Sequence, residues 1–219
     1  MKIEYLGHAC FLLTAPDGTR IVTDPYEAGA FGGAIGYGEV GVDADAVTVS
    51  HGHADHAHVE AVGGEPKVID TPEPATVGAV AIRGVRTAHD PNEGADRGSN
   101  IVFIIEAGGI TIAHLGDLGH SLSVEQVKAI GRVDAVLLPV GGHFTVDATT
   151  AAAIADALGA KVIIPMHYKT DKIDLPIAPL GEFTELQPDR VREIGSSKCE
   201  PAADALPEMP EVWVLTPAR

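Results

Sequence analysis

A short apolar run, Ala46–Ser50, ends directly at the sequence His51-Gly52-His53-Ala54-Asp55-His56. The run is typical of a buried strand, so the polar cluster follows a strand end. Residues two apart in extended chain point to the same side, which puts the rings of His51 and His53 together. Asp55 and His56 follow where the chain turns and point to a neighbouring position. Imidazole and carboxylate are zinc donors, and two such groups suit a pair of ions about 3.5–4 Å apart.

Further donors stand at the ends of other apolar runs. Alone, each would more often be a turn residue or a buried, hydrogen-bonded histidine. Together they complete a donor set for two ions, because α/β proteins present their chemistry at strand ends. These residues are Asp24, His89, Asp117 and His167.

The order of elements predicts one α/β domain over residues 1–219 with two sheets. Strands dominate the first half, where Val77–Arg83 and Val85–Thr87 are expected as separate strands and Gly108-Gly109 as a hairpin turn. Strands alternate with helices later, and helices are predicted over Ser123–Ile130 and Asp147–Leu158. The glycine-rich segment Glu27–Gly41 is expected to be a loop at a pocket mouth.

The net charge of −16 in 219 residues disfavours nucleic acid as a partner, because an acidic surface repels phosphate. No apolar run has the roughly 20 residues that a bilayer requires, so no membrane association is expected. The first residues lack the pattern of an export signal, and a cytoplasmic protein is expected. The expected partner is a small-molecule substrate, and a homo-oligomer is left open.

In its sequence of motifs the chain resembles the metallo-β-lactamase fold superfamily. More narrowly, it resembles the ascorbate-6-phosphate lactonase-like branch of metal-dependent hydrolases. The likeness extends from Lys2 to the last strand and identifies no substrate. Besides the histidine cluster, the segments that carry it are Tyr5-Leu6-Gly7-His8-Ala9, Thr23-Asp24-Pro25, His114-Leu115-Gly116-Asp117, Leu138-Pro139-Val140-Gly141-Gly142 and Pro165-Met166-His167-Tyr168.

This resemblance implies a four-layer αββα sandwich of two mixed β-sheets flanked by helices, with the site at one edge of the sheets. It also implies a ligand set. His51, His53 and His89 would hold one metal, Asp55, His56 and His167 a second, and Asp117 would bridge them. Either His89 or His114 could be the third histidine, and His89 is preferred as in the family. Zinc is expected, with two ions per chain, and manganese or iron as alternatives.

The expected reaction is hydrolysis of a small lactone, ester or phosphodiester. A bound metal lowers the pKa of its water to about 7 and so supplies hydroxide at neutral pH. Asp55 and His8 are the candidate catalytic residues. The alternatives are that Asp55 is a metal ligand only and that His8 is a buried, hydrogen-bonded residue.

Other polar residues are expected around this centre. Asp24 is predicted to orient a ligand histidine. His114 would also support the ligands, and His120 and His143 are candidates for substrate contact. Arg83, Arg97 and Lys169 are candidates for binding an anionic substrate. The alternative is that these side chains are solvated on the surface.

Three alternatives share the same motifs. A nuclease of this fold would need a basic patch beside the metals. A di-iron oxidoreductase would more often carry a carboxylate at the third position of the cluster, where this chain has His53, and a fused flavin domain. A metal-binding protein without activity would not need the full donor set.

Overall fold

The computed structural model describes residues 1–219 and contains sixteen strands and four α-helices. The strands are β1 (Lys2–Gly7), β2 (Cys10–Thr14), β3 (Arg20–Thr23), β4 (Val42–Asp43), β5 (Ala46–Thr48), β6 (Val62–Gly63), β7 (Lys67–Ile69), β8 (Ala75–Val77), β9 (Val80–Ala88), β10 (Ser99–Ala107), β11 (Ile110–His114), β12 (Ala135–Pro139), β13 (Val162–Met166), β14 (Val191–Glu193), β15 (Lys198–Cys199) and β16 (Glu211–Val214). The helices are α1 (Ala30–Gly33), α2 (Val124–Ile130), α3 (Ala148–Leu158) and α4 (Gly181–Thr184).

Two large mixed sheets form the centre of the molecule. One has six strands in the order β15-β1-β2-β3-β5-β7, and the other has eight in the order β14-β16-β13-β12-β11-β10-β9-β8. Strands β4 and β6 form a small separate pair. Each large sheet combines antiparallel and parallel pairs. The mixed α/β fold class predicted from the sequence is confirmed, with few helices around the sheets.

Alternate residues of the six-stranded sheet belong to two different buried clusters. Tyr5 and Leu13 pack into a cluster of 47 buried residues shared with the eight-stranded sheet. Leu12 and Val22 belong to a second cluster of 15 buried residues, completed mainly by loop residues. Since strand side chains alternate between the two faces, this sheet is covered on both sides. Each fully buried aliphatic side chain stabilises the fold by about 1.5–3 kcal/mol.

The two longer helices begin and end as their sequences predict. Ser123 caps α2 in a reciprocal capping box with Gln126. Asp147 caps α3 by accepting a hydrogen bond of 2.7 Å from the backbone N–H of Thr150. Gly159 ends α3 in the left-handed conformation, with φ of 64°. None of the helices is long and apolar enough to cross a membrane.

The predicted division of residues 77–87 into two strands is wrong. The chain turns at Gly78, with φ of 52°, so that β8 ends at Val77 and pairs with the start of β9. Beyond the turn, β9 runs without a break from Val80 to Ala88. The apolar pattern continues through the hairpin, and only the glycine marks where the chain reverses.

Strand direction brings the polar strand ends together. In the six-stranded sheet, β1, β3 and β5 run in one direction because β2 is antiparallel to both β1 and β3, while β5 is parallel to β3. In the other sheet, β9, β11, β12 and β13 share a direction for the same reason. Their carboxyl ends therefore lie at one edge of each sheet, where the chain places the histidines and aspartates that follow.

Candidate metal centre

The turn after β5 gathers the first histidines. Nε2 of His51 lies 3.0 Å from Nδ1 of His53, and the two rings are nearly perpendicular, with an interplanar angle of 87°. The backbone N–H of His56 donates to the carbonyl of His53 at 3.0 Å, which closes the turn. This turn directs Asp55 and His56 into the interior, where both are buried.

Two groups of donor atoms face each other across Asp117. In each group, one ligand atom per residue lies within 4.8 Å of every other. Asp117 contacts both, because its Oδ2 is 3.3 Å from Nε2 of His89 and 3.3 Å from Nε2 of His167. Its Oδ1 is 3.2 Å from Nε2 of His56. The first group is His51, His53 and His89, and the second is His8, Asp55, His56 and His167.

His8 lies directly beside this centre. Its Nε2 lies 3.0 Å from Oδ2 of Asp55, and its ring centroid is 4.1 Å from that of His167. The backbone N–H of His167 donates to the carbonyl of His8 at 3.0 Å, which links the end of β13 to the end of β1. His8 therefore stands beside the donors of the second group, fully buried.

The structure separates the two candidates for the third histidine. His89 is one of the first group, whereas His114 points away from it. Nε2 of His114 lies 2.8 Å from the carbonyl oxygen of Ala9, and its Nδ1 is 4.0 Å from Oδ2 of Asp24. His114 thus belongs to the polar layer beneath the donors.

Asp24 is the centre of that layer. Its Oδ1 accepts from the backbone N–H of Ser50 at 2.8 Å, and its Oδ2 accepts from the Ser50 hydroxyl at 2.5 Å. The same Oδ2 lies 2.9 Å from Nδ1 of His56, while Oγ of Ser50 lies 3.0 Å from Nδ1 of His51. One carboxylate therefore fixes a histidine of each donor group, one directly and one through Ser50.

Sequence reasoning missed Ser50 and Asn100, which support the centre. Asn100 donates to Thr87 and to the carbonyl of Leu115, and its Oδ1 accepts from the backbone N–H of Asp117 at 3.0 Å. Gly116, with φ of 53°, allows this close approach, because a Cβ there would lie 2.4 Å from Oδ1 of Asn100. The position of Ser50 at the end of the run before the cluster was the only sequence signal for either residue.

Three residues at this edge have a strained backbone conformation. Seven non-glycine residues have positive φ, and three of them are His8 (53°), Asp24 (41°) and His167 (53°). Such conformations cost about 1–3 kcal/mol each and persist where the surrounding structure imposes them. In all three cases the residue directly follows a strand, so the sharp change of direction aims its side chain across the sheet edge.

Burial determines the charge of two of the histidines, His8 and His51. Burial lowers the pKa of His8 to about 4, with a further contribution from His167. Burial also lowers the pKa of His51 to about 3, and His56 adds to this effect. Both rings are therefore neutral at pH 7, the form in which imidazole binds a metal.

The carboxylates behave in the opposite way. Burial raises the pKa of Asp117, but His167 and His56 lower it more strongly, and the result is well below the usual range. Asp55 has a lowered pKa for the same reason, since His56 and His8 outweigh its burial. Burial lowers the pKa of His56, yet Asp117 and Asp55 raise it well above its ordinary value. The cluster therefore attracts positive charge.

Unpaired atoms show that the residues present fit a metal. Buried polar atoms are normally hydrogen-bonded, yet five in this cluster have no partner. Nε2 of His56 and Oδ1 of Asp117 approach each other but are not aligned for a hydrogen bond. These two atoms face the centre, and a nitrogen and a carboxylate oxygen without hydrogen bonds suit a divalent cation such as zinc. The five atoms are Nδ1 of His8, Nε2 of His56, Nδ1 of His89, Oδ1 of Asp117 and Nδ1 of His167.

A cavity of about 420 Å³ opens onto the cluster. Beside cluster residues it is lined by Phe31, Arg97, Phe144 and Leu175. Phe31 belongs to the glycine-rich segment that the sequence placed at a pocket mouth. Within that segment, predicted as a loop, Phe31 lies in the short helix α1. Phe144 and Leu175 carried no sequence signal, because they come from two separate loops that meet Phe31 only in the folded chain.

His120 and His143 lie outside the cluster. Nε2 of His120 accepts from the backbone N–H of Ala88 at 3.1 Å, next to His89. His143 is exposed, and its ring packs edge-on against Phe144 with centroids 4.5 Å apart. Both histidines line a neighbouring cavity of about 440 Å³, which shares Arg97 and Phe144 with the first.

Comparison with known proteins identifies the family. The sequence profile of a family described as a beta-lactamase superfamily domain matches residues 2–167. The chain belongs to the β-lactamase superfamily. It is 31% identical to a UPF0173 metal-dependent hydrolase of Methanospirillum hungatei, over 79% of this chain and 85% of the relative. A UPF0173 metal-dependent hydrolase of Thermus thermophilus is 32% identical, over 89% of this chain and 93% of the relative.

A solved structure from Thermotoga maritima agrees with this placement. That protein is described as a candidate Zn-dependent hydrolase of the metallo-β-lactamase superfamily. It is 40% identical to this chain, with a TM-score of 0.80, over 98% of this chain and 97% of the other. The superfamily resemblance seen in the sequence is therefore confirmed, and the chain is an enzyme of the metal-dependent hydrolase class.

Proposed function

We propose that this β-lactamase superfamily member is a dinuclear zinc hydrolase that cleaves a small lactone, ester or phosphodiester. The observation that carries the proposal is the position of Asp117 between two groups of donors, with one carboxylate oxygen close to a histidine of each group. Zinc is favoured because most donors are imidazole nitrogens. The name of the Thermotoga maritima relative also specifies zinc.

The proposed ligands divide between the two groups. One ion would be held by the three histidines of the first group, the other by Asp55, His56 and His167, with Asp117 between them. When bound, such ions polarise the attacked group and lower the pKa of water to about 7, which supplies the nucleophile for hydrolysis. The first three histidines are His51, His53 and His89.

His8 and Asp55 would orient the water that attacks the substrate. With its pKa lowered to about 4, His8 is neutral at pH 7 and can donate from Nε2 to Oδ2 of Asp55, 3.0 Å away. This hydrogen bond holds the Asp55 carboxylate in one orientation. Asp55 lines the cavity, so its carboxylate can also accept a hydrogen bond from water in the same space and orient it.

The remaining features favour a compact enzyme acting on small molecules. We propose one domain over residues 1–219 and a lactonase-like activity as the first to test. Cys10 and Cys199 are free thiols, which suits the reducing cytoplasm. The net charge of −16 disfavours nucleic acid as substrate. A homo-oligomer remains compatible with the proposal.

The test combines metal analysis with a hydrolase screen. Purified protein reconstituted with zinc is expected to hold two ions per chain and to hydrolyse members of a panel of lactones, esters and phosphodiesters. His53→Ala and Asp117→Ala are expected to lose metal and activity while staying folded. His58→Ala is the matched control, because His58 is near in sequence but its ring is partly exposed beside Glu60. Full metal content and activity in both cluster variants would refute the proposal.

A further inference from the structure

We infer that the substrate carries an anionic group, a carboxylate or a phosphate, which is bound by Arg97 at the wall of the metal-site cavity while Phe31, Phe144 and Leu175 contact its apolar body. This inference rests on the proposed function, since it specifies the substrate of the same site. Arg97 is the only lysine or arginine that lines the cavity. Three observations support the role of Arg97 as the anion-binding residue.

The first observation is that Arg97 has no acidic partner, although the protein carries a net charge of −16. Two other cations were candidates for an anionic substrate, and both are engaged elsewhere. Arg83 donates to the carbonyls of Ala129 and Ile130 at 2.9 and 2.6 Å. Lys169 pairs with Asp174 at 3.3 Å. No carboxylate lies within ion-pair distance of the Arg97 guanidinium, so its charge is available to a ligand.

The second observation is that the loop bearing Arg97 is held rigidly by Asp90. The Asp90 carboxylate is fully buried and accepts four backbone N–H groups, from Asn92, Gly94, Asp96 and Arg97, at 2.7–3.1 Å. These bonds occupy both oxygens of Asp90, so the carboxylate organises the loop instead of pairing with the guanidinium. Asp90 directly follows His89, and the loop therefore fixes the position of Arg97 relative to the donor groups.

The third observation is the position of the guanidinium against an aromatic wall. Its Cζ lies 5.7 Å from the ring centroid of Phe144, a cation–π contact that orients the side chain. Phe31 is 55% exposed although it is large and apolar, and it lines the same cavity as Leu175. A wall with one cation and three apolar side chains suits an amphipathic anion better than a polar neutral molecule.

The experiment measures ligand binding to the zinc-loaded protein. The probes are phenylacetate, benzylphosphonate and neutral phenylacetamide, titrated by calorimetry. Wild-type protein is expected to bind at least one anion more tightly than the amide, and the tighter anion distinguishes carboxylate from phosphate. Arg97→Gln should weaken binding of that anion by about tenfold to a hundredfold, the effect of one lost hydrogen-bonded charge. Arg97→Lys should retain part of the affinity.

Arg132→Gln is the matched control. Arg132 is exposed and precedes β12, at the end of the strand opposite the site, so this variant changes the net charge equally without touching the cavity. Unchanged anion affinity in Arg97→Gln, or an equal loss in Arg132→Gln, would overturn the inference. Failure of the proposed function is distinguishable from failure of this inference. It would appear as a lack of bound zinc or of hydrolysis in the wild-type protein, and it does not depend on the anion affinity of Arg97→Gln.

Discussion

Oδ2 of Asp24 lies 2.9 Å from Nδ1 of His56, and both side chains are completely buried. A carboxylate in this position fixes the tautomer and the orientation of the imidazole, so that its other nitrogen, Nε2, faces Asp117. The pair connects the end of β3 to the turn after β5. The orientation of a donor in the second group therefore depends on a residue from a neighbouring strand.

Asp24→Asn is expected to weaken metal binding by about 10- to 100-fold, because an amide cannot hold the His56 ring in the same way. Asparagine tolerates the left-handed backbone at this position, so the fold should persist. Competition with a chromogenic chelator measures the affinity. Asp156→Asn, which changes an exposed aspartate paired with Arg190, is the control. Affinity equal to that of wild type would contradict the role given to Asp24.

Removing metal is expected to lower the melting temperature. A ligand present at a hundred times its dissociation constant stabilises the folded state by about 2.7 kcal/mol, which corresponds to about 5–10 °C for a chain of this size. Differential scanning fluorimetry with chelator, and again after zinc is restored, measures the shift. His53→Ala should show a smaller shift than wild type. An identical melting temperature with and without zinc would argue against a metal centre.

The metal-free protein is expected to lose stability as the pH falls from about 6.5 towards 4. His8 binds a proton at its ordinary pKa of 6.5 when unfolded, but only near 4 when folded. Between these values the unfolded state holds more protons, so acid favours unfolding. His51, with a folded pKa of about 3, acts in the same direction, whereas the raised pKa of His56 affects stability above pH 6.5.

Urea unfolding at a series of pH values tests this dependence. His8→Asn removes one of the titrating groups, and its stability should fall less steeply over this pH range. His58→Asn, which alters a partly exposed histidine outside the cluster, is the control for the loss of one imidazole. A slope in His8→Asn as steep as that of wild type would mean that His8 does not contribute.

Gly116→Ala is expected to destabilise the protein by about 2–4 kcal/mol, because the new methyl group would collide with buried atoms. It would lie 2.4 Å from Oδ1 of Asn100 and 2.6 Å from Cβ of Ser50. Gly159→Ala isolates the backbone contribution, since Gly159 has a similar φ of 64° and nothing within 4 Å of the added carbon. It should cost only about 1–2 kcal/mol. If urea unfolding showed the same loss of stability in Gly116→Ala and Gly159→Ala, the atoms around Gly116 would have moved to make room for the methyl group.

Much of this centre was predictable, because residues that follow strands of the same direction lie close together at one edge of the sheet. Asp24, His89, Asp117 and His167 each follow an apolar run, and the carboxyl ends of those strands meet at one edge. The His51–His56 turn needed only local geometry. Which histidine joins the donors was not predictable from spacing, because His89 and His114 both stand at strand ends. The hydrogen bond between Nε2 of His114 and the carbonyl of Ala9, which turns His114 away from the donors, exists only in the folded chain.

The supporting and substrate-facing residues were hidden for a physical reason. Asn100 contacts Asp117 across neighbouring strands, and Arg97 meets Phe144 only after both loops are in place. Arg97 was one of three equivalent cations in the sequence, and the partners of the other two became visible only in three dimensions. The short strands β7, β14 and β15 were missed because two or three residues form no recognisable pattern.

The donors around Asp117 come from both sheets and from chain positions between residue 8 and residue 167. During synthesis on the ribosome, the centre therefore cannot close until β13 has emerged and docked beside β12. Only the second donor group has to wait for His167 at the end of β13, whereas the first group is complete once His89 has been made. A nascent chain stalled before β13 would therefore present an incomplete set of donors. A complete metal content in the finished protein would indicate that both sheets had assembled.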